Sequence, residues 1–134
     1  MCSTKTLQDG IADPNEIFVV VTDVVDSVIK SLRKIGVNKI KAIGFTSFVM
    51  NIFGVDETGQ PITPCFTYAS HQPRNEIVEE SLRRELNRDD HLRTGAVVHS
   101  SYATVQLRTM IESGQSFPSV YKWQTISSHI IAKW

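Results

Sequence analysis

The sequence predicts a single-domain α/β fold, and three observations carry that reading. A long amphipathic helix pattern ends at a glycine and leads into a short, continuous apolar run, so a helix feeds a buried strand. Two apolar, β-rich segments then flank a turn containing Gly and Pro, the pattern of a β-hairpin. Further helix patterns alternate with extended segments to the end of the chain. The length of 134 residues suits one domain. At this size folding buries roughly two-thirds of the surface the unfolded chain exposes. A hydrophobic fraction of 41% therefore supplies a core without disulfide or metal staples.

Taken in order, Asp13-Pro14-Asn15-Glu16 reads as a helix start: Asp13 caps, Pro14 suits the first helical position and Glu16 can reach back to complete a capping box. Ile17, Val20, Val21, Val24, Val28 and Leu32 recur at spacings of three and four, and Gly36 after Arg33 and Lys34 is the stop. The many β-branched residues lower intrinsic propensity, so this helix depends on packing its stripe against a sheet. Residues 40–45 (Ile-Lys-Ala-Ile-Gly-Phe) predict a short, largely buried strand. Residues 51–56 and 62–68 form the arms of the hairpin around Glu57-Thr58-Gly59-Gln60-Pro61. A second helix covers 75–87, with Ile77, Val78, Leu82 and Leu86 inward and the i,i+4 pairs Glu79 with Arg83 and Glu80 with Arg84 outward. A third spans 102–113 with Val105, Leu107, Met110 and Ile111, closed by Gly114. Residues 120–126 are extended, and Ser127 can cap a last apolar segment, 128–134. That segment ends on Trp134 with no stop signal, and nothing upstream of the first helix offers neighbouring strands, so the sheet reads as incomplete and both ends as cut.

Charge and motifs exclude several function classes. Fourteen Lys+Arg balance fourteen Asp+Glu, which removes the electrostatic reason to expect a nucleic-acid or anionic-membrane partner. No apolar run approaches a membrane span and the N-terminus lacks signal-peptide layout, so the expectation is a soluble, cytoplasmic protein. A disulfide between Cys2 and Cys65 is not expected, and Cys65, flanked by Pro64 and Phe66 with no basic neighbour, reads as buried filler. His71, His91, His99 and His129 share no ligand spacing, so no metal site is predicted, and no glycine-rich phosphate loop is present. Ser100 and Ser101 beside His99 read as a polar cap before the third helix in preference to a nucleophile.

The order of segments adds a resemblance. Residues 41–56 (Lys-Ala-Ile-Gly-Phe-Thr-Ser-Phe-Val-Met-Asn-Ile-Phe-Gly-Val-Asp), then Glu-Thr-Gly-Gln-Pro-Ile-Thr-Pro64, then Cys-Phe-Thr-Tyr-Ala-Ser-His71, resemble the N-terminal lobe of the FGGY family of carbohydrate kinases. Thr94-Gly95-Ala-Val-Val-His99-Ser-Ser-Tyr102 before a helix resembles the family's next landmark, and Gln8-Asp9-Gly10 with the Asp13-Pro14 helix start also fits. The resemblance runs from Leu7 to Trp134 and makes residues 1–134 a partial N-terminal domain of that family.

It implies an incomplete ribonuclease-H-like (actin-like ATPase) lobe with an inserted β-hairpin, from an enzyme that transfers the γ-phosphoryl group of ATP to a sugar or polyol hydroxyl with Mg²⁺. Family sugar contacts fall on Val49 and Met50, whose side chains offer no strong hydrogen bond, and on an aromatic-x-Asp-x-Arg segment matched by Tyr68, Ser70 and Gln72, or His71 with one residue of slippage. Ser70 lacks the charge and two acceptor oxygens of a carboxylate, which weakens sugar affinity. From the residues alone, Ser70, His71, Gln72 and Pro73 also read as a polar turn into the second helix. The family's Asp-x-Gly-Thr phosphate turn, catalytic aspartate and second lobe have no counterpart here. The expectation is a kinase fragment with no catalytic residue of its own, inactive alone, binding neither ATP nor Mg²⁺, and prone to self-association through its incomplete sheet. The alternative is a non-catalytic binding or dimerisation module derived from such a lobe.

Overall fold

A computed structural model describes residues 10–70, 75–86 and 88–134. In chain order these form β1 (Ile11–Ala12), α1 (Pro14–Lys34), β2 (Phe53–Val55), β3 (Cys65–Phe66), α2 (Asn75–Glu85), α3 (Arg88–Thr94), α4 (Ala103–Glu112), β4 (Lys122–Gln124) and α5 (Ile126–Lys133). The strands form two short antiparallel pairs. Ile11 faces Phe66 between β1 and β3, and Phe53 faces Gln124 between β2 and β4.

Helix α1 begins where its local signals place it. Asp13 accepts from the Asn15 and Glu16 amides at 2.8 and 3.4 Å, with Pro14 at the first position. Its end is a Schellman turn: the Gly36 amide donates to the Arg33 carbonyl and the Val37 amide to the Leu32 carbonyl, with Gly36 at φ +80°. The packing face is narrower than the periodicity predicts. Ile17, Phe18 and Val21 lie on a core of Ala12, Phe53, Val55, Cys65, Ile126 and Ile130, whereas Val24 and Val28 are exposed.

The strand predicted at 40–45 does not form. Among the described residues no strand lies beside it, and without a ladder partner an apolar run has no reason to stay flat: Ile40, Ile43 and Phe45 are exposed, Ile43 at 63%. The hairpin prediction is met at its turn and not along its arms. Asp56 Oδ1 accepts from Thr58 N, Thr58 Oγ1 and Gln60 N, and Gly59 takes φ +80°. The Thr58 hydroxyl, then the Gln60 amide, hold the Asp56 carboxyl below the usual carboxylate range. The arms meet only at isolated bridges, Ile52 with Phe66 and Val55 with Pro61, because β2 and β3 take their ladders from β4 and β1.

Helix α2 carries both foreseen ion pairs, Glu79 with Arg83 at 2.6 Å and Glu80 with Arg84 at 3.1 Å. Val78 and Leu82 are buried, but Ile77 and Leu86 are exposed, as is Ile111 on α4. The seam between α2 and α4 is narrow, formed by Val78, Leu82 and Val105, and a bidentate pair closes it: Arg108 Nη1 and Nη2 each lie 2.7 Å from a Glu85 carboxylate oxygen. Helix α3 is absent from the sequence reading, since Arg-Asp-Asp-His-Leu-Arg-Thr holds one apolar residue and no period. Two cap assignments change as well. Thr125, not Ser127, caps α5 by accepting from the Ser128 amide, and α4 has Tyr102 at its N-cap with no side-chain cap bond.

Candidate functional site

The segment that leaves β3 carries Tyr68 and Ser70, and long-range hydrogen bonds fix its path. Thr67 is buried and donates to the Gly10 carbonyl twice, from its amide at 3.1 Å and its hydroxyl at 2.8 Å. The Thr67 carbonyl accepts from the Ser70 amide at 3.0 Å, closing a turn over 67–70, and its hydroxyl also accepts from the Ala69 amide at 3.2 Å. From α4, Gln106 Nε2 donates to the Thr67 carbonyl at 3.0 Å and to the Ser101 carbonyl at 3.1 Å. Ser101, predicted as a cap, instead donates from its hydroxyl to the Tyr68 carbonyl at 3.4 Å. Held this way, Tyr68 is 61% exposed while Ser70 is 5% exposed. His71 lies outside the described residues.

The second strip of predicted contacts sits before β2. Asn51 is buried; its Nδ2 donates to the Phe48 carbonyl at 2.6 Å and its Oδ1 accepts from the Ile126 amide at 2.8 Å, which ties the 48–50 loop to the first turn of α5. Met50 is held at φ +57°, uncommon for a residue with a Cβ. Val49, 68% exposed, and Met50 line a cleft of about 350 Å³ with Ser47, Asn51, Thr125 and Ser127. Tyr68 and Ser70 do not line that cleft. The antiparallel bridge of Ile52 with Phe66 nonetheless carries both strips to one end of the pair, since Met50 and Tyr68 each stand two residues beyond it. The groups gathered at this end are hydroxyls and the Tyr68 ring beside the apolar side chains of Phe45, Phe48, Val49 and Met50, so the hydroxyls can bond a polar ligand while the rings cover its apolar face.

Gly10, Asn51 and Gln106 support the site and were not foreseen. A Cβ at Gly10 would land on the peptide between Ala69 and Ser70, so only the absent side chain allows the approach, and φ +75° suits glycine there.

The remaining titratable candidates lie elsewhere. Cys65 is fully buried, and burial pushes its thiol up to about 12, as filler requires. His91 Nδ1 lies 2.9 Å from the Ala96 carbonyl, and His99 Nδ1 accepts from the Ser101 amide at 3.1 Å. His129 is a core residue, edge-on to Phe53 and Phe18 at ring separations of 5.2 and 6.1 Å. Gln124 Nε2 lies 2.9 Å from its Nδ1; an amide nitrogen only donates, so the ring proton sits on Nε2, which has no partner among the described residues. Burial first, then the charge of Lys133, lowers its pKa below 6.5. The unfolded chain therefore binds the extra proton first. This contribution to stability is complete above pH 6.5 and is lost as pH falls toward the folded pKa, by at most ~1.4 kcal/mol per pH unit. Urea midpoints should drop between pH 7 and pH 5, and His129→Leu should flatten that part of the drop.

The chemistry of a resident Mg²⁺ calls for converging oxygen donors. Among the described residues no group of three or more His, Cys, Asp or Glu side chains could hold a metal ion. Among them, too, no helix is long and apolar enough to cross a membrane.

Comparison with known proteins agrees with the resemblance in the sequence. The family model for the N-terminal domain of the FGGY family of carbohydrate kinases matches residues 3–134. A gluconokinase of Bacillus subtilis strain 168 is 31% identical over 97 residues, which cover 72% of this chain and 18% of the relative. The fold is similar to parts of two solved structures from Lactobacillus acidophilus. One is a gluconate kinase (TM-score 0.68, 23% identity, 96% of this chain and 25% of that one), the other a ligand-bound xylulose kinase (TM-score 0.70, 24% identity, 96% and 26%). The chain thus spans 18% to 26% of the length of these relatives. The family-model match over residues 3–134 makes the chain a member of the FGGY family of carbohydrate kinases.

Proposed function

We propose that this chain is a partial N-terminal domain, residues 1–134, of a cytoplasmic ATP-dependent kinase for a sugar, sugar acid or polyol, and that it supplies part of the carbohydrate site. The observation that carries the reading is the 67–70 turn: the segment matching the family's sugar-contacting motif is fixed by Gly10, Gln106 and Ser101 so that the Tyr68 ring is presented to solvent. In this reading Tyr68 offers its face and hydroxyl, Ser70 one hydrogen bond from a buried position, and His71 a further polar group, while Val49 and Met50 give apolar contact only. The lobe is ribonuclease-H-like, with the 51–68 hairpin as its insertion. ATP and Mg²⁺ serve the parent reaction. In this reading the polypeptide on its own binds carbohydrate without turnover. Copies of the chain associate through the incomplete sheet.

The test is calorimetric titration of the 134-residue chain with D-gluconate, D-xylulose and glycerol, its association state fixed beforehand by sedimentation, together with a coupled assay for ADP. Saturable heat with gluconate or xylulose and no ADP is expected. Silence with all three ligands removes the carbohydrate site; sugar-dependent ADP release removes the inactivity.

A further inference from the structure

We propose that Gln106 is the positioning residue of the carbohydrate-contacting turn: its amide, reaching across from α4, sets where Tyr68 and Ser70 stand. This rests on the reading of that turn as a sugar site. Gln106 is 1% exposed, yet both of its side-chain hydrogen bonds leave from Nε2, to the carbonyls of Thr67 and Ser101, while Oε1 has no partner among the described residues. A glutamine retained in a core for its own satisfaction would place both ends; this one leaves a buried acceptor empty to hold two carbonyls.

Those carbonyls are the two anchors of the turn. Thr67 opens it and also grips Gly10; Ser101 is the residue whose hydroxyl meets the Tyr68 carbonyl. One side chain therefore ties two strips of chain, the turn at Thr67 and the lead-in to its own helix at Ser101. The surrounding seam does not need the amide for packing: Val78, Leu82 and Val105 form its apolar part, and the pair of Arg108 with Glu85 closes its rim. Pre-setting a binding loop lowers the entropy lost when ligand orders it, so a residue of this kind acts on affinity more than on fold stability.

Gln106→Met keeps length and shape and removes the unpartnered Oε1 with the two donors; the Thr67 carbonyl keeps the Ser70 amide, so the cost falls on the Ser101 carbonyl and the chain should still fold, with a melting temperature lowered by about 5 °C. Two readouts on the full chain then separate the cases. Amide hydrogen exchange, which needs no ligand, should quicken about tenfold at Ala69 and Ser70 and stay unchanged at Val105 and Met110 on α4. Titration with D-gluconate should weaken about tenfold. Unchanged exchange at Ala69 and Ser70 overturns the positioning role, and so does acceleration spread evenly over α4, which marks a residue of the fold alone. Local acceleration with a wild-type chain that binds none of D-gluconate, D-xylulose and glycerol leaves the clamp standing and removes the sugar reading; local acceleration with unchanged affinity for whichever of them binds overturns the link between clamp and ligand. Gln106→Glu is the second variant should Met fail to fold, and unfolding of both overturns the proposal.

Discussion

Alanine at position 10 should destabilise the chain by about 3 kcal/mol and free the 67–70 turn, although the change adds a single methyl group. Gly10 stands at φ +75°, where a side chain adds roughly 1–2 kcal/mol of strain. The new Cβ would also occupy the peptide joining Ala69 to Ser70, which is backbone and cannot rotate aside. Relief requires the two strips to separate, which breaks both bonds from Thr67 to the Gly10 carbonyl, each worth about 1 kcal/mol. Gly36→Ala is the control. Gly36 has nearly the same φ, +80°, but nothing within 4 Å of its would-be Cβ, so its cost is the backbone strain alone. Urea denaturation of the two variants checks the argument: equal losses would mean that the close approach contributes nothing, whereas an excess of about 2 kcal/mol for Gly10→Ala is expected.

The contrast between those two glycines also explains what the sequence makes legible. Gly36 ends a helix whose start and stop are local: Asp13, Pro14 and Gly36 act on amides and carbonyls a few residues away, and α1 runs between them. Its buried face was misread because valine occupies positions 19, 20, 21, 24, 25 and 28, apolar on more than one side. The choice of Ile17, Phe18 and Val21 belongs to the core they meet, which is built from residues far along the chain. The same limit explains residues 40–45, where apolar composition favours a strand only if another strand stands beside it, and the hairpin, whose Asp56 turn is local while the ladder of β2 runs to β4.

The candidate site divides along the same line. Tyr68 and Ser70 could be picked out because a resemblance attaches meaning to contiguous residues. The groups that hold them could not, because they act through bonds spanning 57 and 39 residues, from Thr67 to Gly10 and from Gln106 to Thr67, and the 48–50 loop is held in the same way by a bond spanning 75, from Ile126 to Asn51. No propensity or period encodes such a bond. A buried glutamine on an amphipathic helix is the nearest signal, since Gln106 falls between Val105 and Leu107 on a helix with a polar face available elsewhere.

The core residue on which both packing and acid sensitivity converge is Phe53, and its replacement by alanine should remove about 3–5 kcal/mol of stability. Phe53 is 0% exposed and packs with Ala12, Val55, Cys65, Ile126 and Ile130, so it joins β1, β2, β3 and α5 in one cluster onto which α1 folds. These elements are short strands and one eight-residue helix with little stability of their own. They cannot close over the space the ring leaves, which puts the change toward the upper end of the range. A domain of this size has roughly 5–15 kcal/mol in total, so the loss is a large part of the chain's stability. Phe45→Ala is the matched control: Phe45 is 40% exposed and meets Trp134 edge-on at 5.7 Å, and its loss should be less than about 1.5 kcal/mol. The Phe53 ring also stands against His129, so opening that space admits water to the imidazole and brings its pKa back toward 6.5. Phe53→Ala should therefore be less stable at pH 7 and yet lose less of what remains between pH 7 and pH 5 than the wild type does. Chemical denaturation at the two pH values measures both effects, and an undiminished loss in Phe53→Ala would show that something other than burial against this ring depresses the His129 pKa.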